Sequence, residues 1–158
     1  MEIFVSKVVE FDLGTIKEVI KNPSLNYHNR YMACEVLMTV YINGHNSMRN
    51  IIEKCYESML RQFIDRDNIN ITGKEDTIIA HIAGDCCDIY AENTFPLIER
   101  LFEQEKIDLS YINEEDFAHY SRFKNKDTVL KHLKQNEYYH LITDAETETQ
   151  NWGCFTEN

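Results

Sequence analysis

Proline and glycine are scarce, with 2 and 5 copies in 158 residues. So few turn-forming residues cannot close the many tight hairpins of a sheet sandwich, and a mostly helical chain is expected. No apolar run approaches the roughly 20 residues that span a bilayer. The opening MEIFVSKVVEFD lacks a basic segment followed by a long apolar one, so the expected location is the cytoplasm. The cysteines, Cys34, Cys55, Cys86, Cys87 and Cys154, are odd in number and have no paired spacing, as reduced thiols would. Also missing are a glycine-rich cradle before a lysine and a glycine-flanked nucleophile elbow, which removes the usual signatures of phosphate binding and acyl transfer.

What is present is a core. Hydrophobic residues make up 43% and aromatics 11%, enough for one ordinary globular domain. That domain is expected over residues 1–142. The remainder, TDAETETQNWGCFTEN over 143–158, reads as an acidic tail, either flexible or folded back through Trp152 and Phe155 to cover the end of the domain.

Charge is distributed unevenly. Of the formal −11, the stretch from Glu75 to Asp116 carries −10, with twelve acidic residues against Arg100 and Lys106. Such a field repels nucleic acid and anionic membranes and attracts a basic protein. Lys124, Lys126, Lys131 and Lys134 form a small basic group, read as a solvated helix face.

Helical spacing recurs along the chain. One apolar fingerprint appears as Ile16, Val19, Ile20 and Leu25, then Leu60, Phe63, Ile64 and Ile69, then Ile98, Leu101, Phe102 and Ile107. A fourth copy, Leu130, Leu133, Lys134 and Tyr139, is broken by the lysine. Successive offsets are 44, 38 and 32 residues, as stacked repeats would give. A further helical stretch precedes each later copy, at Tyr31 to Tyr41, Thr77 to Tyr90 and Glu115 to Phe123. Before the first copy a short helix is expected over Ile3 to Val9. Ile51, Ile52, Cys55, Tyr56, Met59, Leu60, Phe63 and Ile64 make an apolar stripe on a helix from Ser47 to Asp65. Asn46-Ser47 and Asn93-Thr94 are candidate N-caps, and Pro96 marks a helix start.

The segment from Phe11 through Gly14 and Pro23 to Asn26 resembles the turn, outer helix and exit of an ankyrin repeat, as does Leu101 to Ser110. Thr77-Ile78-Ile79-Ala80-His81 is similar to that family's Thr-Pro-Leu-His opening, without the proline and with one residue inserted. The family period is about 33 residues, so the resemblance implies an irregular all-α stack of about four helix-turn-helix repeats. A compact helical bundle is the alternative. The resemblance also implies that His81 ties one repeat to the next. It further implies a concave face carrying Glu75, Asp76, Asp85, Asp88, Glu114, Glu115 and Asp116, with Tyr111 and Tyr120 as aromatic anchors.

In its small size, acidity and richness in Asn and Ile, the chain is also similar in general character to bacterial toxin-immunity proteins, including those of contact-dependent growth inhibition. That likeness implies a non-enzymatic protein that neutralises a basic, nuclease-type toxin domain. An ankyrin-like viral or bacterial effector that binds a host protein is one alternative, and an enzyme with a thiol or carboxylate site is another. No cofactor is expected. His81, Cys86 and Cys87 are the nearest approach to a metal site, but adjacent helical cysteines point about 100° apart. Asp85 with Asp88, or Glu114 to Asp116, are the carboxylates that acid–base work or magnesium would use.

Overall fold

A computed structural model describes residues 13–66, 74–120 and 126–136. The helix expected before residue 10 and the tail over 143–158 lie outside these. Among the described residues there are seven α-helices and no strand, and no helix is long and apolar enough to cross a membrane.

Helix α1, Leu13–Lys21, buries Ile16 and Ile20 one turn apart and stops ahead of Pro23. Helix α2, Tyr27–Asn43, starts where the Asn26 side chain accepts a hydrogen bond from the His28 N–H at 2.8 Å. Gly44 ends it. A Cβ there would sit 2.6 Å from the Val40 carbonyl oxygen, so only glycine fits. Across this two-residue turn Arg49 Nε donates to the Tyr41 carbonyl at 3.0 Å, placing a cation on the negative end of α2.

Helix α3, Asn46–Ile64, follows the expected stripe with one exception, since Ile51 faces outward. The expected Asn46-Ser47 cap is replaced: His45 stands at the N-cap without a side-chain cap bond, and Asn46 accepts from Arg49 at 2.9 Å instead. At the other end Lys106 Nζ reaches the carbonyls of Phe63, Ile64 and Arg66 at 3.0, 2.8 and 2.7 Å. One of the two basic residues in the acidic stretch is thereby committed to holding α3.

Helix α4, Glu75–Asp88, is buried along most of its length. A 3₁₀ turn, Glu92–Thr94, leads into α5, Phe95–Glu103, with Pro96 in its first turn. Thr94 donates to the Ala91 carbonyl at 2.7 Å and makes no cap bond to α5, which corrects the Asn93-Thr94 expectation. Helices α4 and α5 close alike. After α4 the N–H groups of Tyr90 and Ala91 bond to Cys87 and Cys86, and after α5 those of Glu105 and Lys106 bond to Phe102 and Leu101. Both are Schellman ends, and the left-handed position that favours glycine holds Tyr90 and Glu105, with φ of 53° and 55°. Helix α6, Glu114–Tyr120, and α7, Lys126–Lys134, complete the described chain.

Packing places α2, α4 and α6 in one row and α1, α3 and α5 in another, with α2 against α3 and α3 against α4 between the rows. Helix α7 lies against α2 and departs from this alternation. Tyr56, Met59, Leu60 and Phe63 from α3 interleave with Ile78, Ile82, Ile98 and Leu101 in the central core.

One charged cluster is sealed inside. Arg30, with 0% exposure, donates from Nε to the Ile20 carbonyl at 2.8 Å and approaches Glu75 Oε1 at 3.9 Å. Glu75 also pairs with Arg66, so one carboxylate draws α1, α2, α4 and the exit of α3 together.

Two stability measurements follow. Phe63→Ala should lower the urea-unfolding free energy by about 3–5 kcal/mol because its side chain is wholly enclosed. Glu105→Gly should raise it by about 1 kcal/mol, since an L side chain in the left-handed region is strained.

Candidate functional site

On α4, His81, Gly84, Asp85 and Asp88 fall at i, i+3, i+4 and i+7, and therefore share a face. On α2, Tyr27, Tyr31 and Glu35 do the same at steps of four. The connection after α5 brings Tyr111 and Ile112 alongside. At the start of α6, Asn113 Oδ1 accepts from the N–H groups of Glu115 and Asp116 at 2.9 Å each, and Asp116 reaches back toward the Asn113 N–H at 3.4 Å. This reciprocal capping box sets Asp116 and, one turn on, Tyr120 facing α4.

Between these elements lies a cleft of about 470 Å³, lined by Tyr31, Glu35, Gly84, Asp85, Asp88, Tyr111, Ile112, Asp116 and Tyr120. Five of the residues expected at a partner surface, Asp85, Asp88, Tyr111, Asp116 and Tyr120, meet here. Glu114 and Glu115 are exposed on the first turn of α6 outside the cleft, and Asp76 is half-buried at the start of α4. Glu75 is a correction. It is 2% exposed and turned into the core, because the buried Arg30 guanidinium needs a counter-charge. Tyr31, Glu35 and Gly84 were not anticipated. Laying the Tyr27-Tyr31-Glu35 face of α2 beside the acidic face of α4 would have found the first two.

The cleft floor is electrostatically costly. Asp85 is 9% exposed and its Oδ2 accepts from the buried Tyr56 hydroxyl at 3.0 Å. Burial pushes its pKa well up, the Tyr56 bond pulls the other way, and Asp88 and Glu35 push it further up. Burial lifts Asp88 to about 6. Glu35 Oε2 is sealed from solvent without a hydrogen-bond partner. None of Glu35, Asp85, Asp88 and Asp116 has a Lys, Arg or His at ion-pair distance among the described residues.

Beside the carboxylates stands an aromatic wall. His81 shares a 2.8 Å hydrogen bond between Nε2 and the Tyr27 hydroxyl, tying α4 to α2. Its ring centre lies 4.5 Å from that of Tyr31 and 4.0 Å from that of Tyr111. Burial lowers its pKa to about 4, so the imidazole is neutral at pH 7. Three of the thiols, Cys34, Cys86 and Cys87, are buried in the core. Burial raises Cys34 and Cys86 well above the ordinary thiol value and Cys87 to about 12, which suppresses the nucleophilic thiolate. Among the described residues no group of three or more His, Cys, Asp or Glu side chains converges as metal ligands would.

A family model described as "Protein of unknown function (DUF1186)" matches residues 1–156. The chain belongs to the DUF1186 family. No curated protein and no solved structure matches it. The family assignment spans every residue of the cleft, so the cleft belongs to the DUF1186 region itself.

Titration of this DUF1186 chain should show two opposed effects. Asp88, raised from 3.8 to about 6, binds its proton more readily in the folded state, so its stabilising contribution is complete below 3.8 and is lost as pH rises through 6. His81, lowered from 6.5 to about 4, contributes stability above 6.5 that is lost as pH falls through 4. Between pH 6 and 4 the two oppose each other, at no more than about 1.4 kcal/mol per pH unit each. Relative to the wild type, His81→Gln should therefore gain thermal stability on acidification from pH 7 to 5, and Asp88→Asn should lose it. Parallel melting curves for all three proteins would refute this assignment.

Proposed function

We propose that this chain is a non-enzymatic binding protein that holds a basic partner protein against the cleft and the carboxylates around it. The observation that carries this reading is the gathering of Glu35, Asp85, Asp88 and Asp116 around one cleft with no cation to balance them among the described residues. Like charges held close in a partly dry site destabilise a fold unless something positive arrives. A basic protein supplies that charge and is drawn in by the wider acidic field.

Within this reading the partner is a nuclease-type toxin domain and the chain its immunity protein. A groove built to bind phosphate is basic, and a surface of fixed carboxylates imitates what the groove accepts. The finer architecture fits the same role. We read the two helix rows as an irregular ankyrin-like stack whose inner row, α2, α4 and α6, supplies the binding face. Contact of α7 with α2 is the departure from an open stack.

A second reading has an observation of its own. Asp88, titrating near 6 in an open cleft beside Asp85, is suited to general acid–base work on a small molecule.

The test begins with affinity capture from the native host and identification of the captured protein. Asp88→Lys combined with Glu115→Lys and Asp116→Lys should slow association about tenfold or more at low salt while far-UV dichroism stays unchanged. A partner of acidic charge, or a basic one that ignores all three reversals, would end the binding-face reading. Turnover of a small molecule lost in Asp88→Asn would favour the enzyme.

A further inference from the structure

We infer that the cleft between α2, α4 and α6 is a seat for one guanidinium group, the side chain of a single arginine presented by the basic partner. The inference rests on the binding reading above and names what occupies its centre. Four features of the cleft carry it.

The first is unmet hydrogen-bonding capacity. Among the described residues Glu35 Oε2, sealed from solvent, has no hydrogen-bond partner, and the Asp85 carboxylate, more than nine-tenths buried, receives only the Tyr56 hydroxyl. Both residues line the cleft; Asp85 has acceptor capacity to spare, and Glu35 Oε2 gains a donor once its side chain turns toward the cleft. A guanidinium offers five N–H donors in a rigid plane, whereas an ammonium offers three from a point. Carboxylates arriving from three different helices suit the first better than the second. The second feature is the wall. Tyr31, Tyr111 and Tyr120 border the same space, and a weakly hydrated planar cation stacks on aromatic faces.

The third is the floor. Gly84 lies inside α4, where glycine is a poor helix former. Its φ is not positive, and an added Cβ would meet only Tyr111 Cε1, at the ordinary contact distance of 3.6 Å. Neither backbone conformation nor packing demands glycine here. What its missing side chain does is keep the floor bare beside Asp85. The fourth is size. At about 470 Å³ the space lies in the range of specific ligand sites, about 300–1,000 Å³, and admits one long side chain with water.

The probe is N-acetyl-arginine amide, titrated into the ¹⁵N-labelled full-length chain with N-acetyl-lysine amide as control. Saturable shifts centred on the Gly84 and Ile112 amides are expected, with the arginine probe binding at least about threefold more tightly than the lysine one. Gly84→Leu, which fills the floor, and Glu35→Gln, which removes one charge without changing shape, should each weaken the arginine probe about tenfold. Should Gly84→Leu fail to fold, Glu35→Gln decides alone. Equal affinity for the two probes, unsaturable shifts spread along Glu114 and Glu115, or indifference to Glu35→Gln would overturn the assignment. A captured basic protein that binds both variants as tightly as the wild type would also overturn it, while leaving the acidic face in place. An arginine probe seated at Gly84 in a protein with no basic partner would uphold the seat and bring down the wider binding function.

Discussion

Burying α4 is the constraint on which the other helices depend. Its apolar residues are enclosed by α2, α3 and α6, yet it carries carboxylates at both ends. The N-terminal end is compensated, because Glu75 sits on the favourable pole of the helix and draws in Arg30 and Arg66. The C-terminal end is not. Asp85 and Asp88 lie in the last turn, where exposed carbonyls already concentrate negative charge, and among the described residues the Asp85 carboxylate accepts a hydrogen bond only from Tyr56.

That asymmetry separates a half of the molecule whose buried charges are paired from a half where, among the described residues, they are not. Around Glu75, charge is neutralised internally and joins α1, α2 and the exit of α3 to α4. Around Asp85, charge accumulates from α2, α4 and α6 and is left open to a cleft. Carboxylates that share a partly buried cleft without a cation among the described residues cost the fold stability. The neutral His81 beside it supports the same division. Its bond to Tyr27 holds α4 on α2 and adds no positive charge that would quench the site.

Much of the fold was legible residue by residue. The scarcity of proline and glycine, the apolar steps of three and four, and Pro23 and Pro96 at helix boundaries together point to helices close to those observed, because helix formation is a local property of spacing and backbone freedom. The capping details were less legible. Asn46 and Thr94 have the right chemistry for caps, but Arg49 and the Ala91 carbonyl compete successfully for their side chains. The left-handed Tyr90 and Glu105 carry no glycine signal at all, and only the backbone bonds that close α4 and α5 reveal them.

The amino-acid order by itself determined the helical class, the apolar faces and the concentration of negative charge between Glu75 and Asp116. Tertiary structure alone decided which of those acids face inward and which face a cleft. Glu75 and Asp85 are similar groups on one helix, ten residues apart. One meets Arg30 and becomes part of the core, while the other meets Glu35, contributed from fifty residues earlier in the chain, and lines a cleft. Local spacing specifies which side of a helix a residue occupies, but only the packing of distant segments determines what stands opposite it.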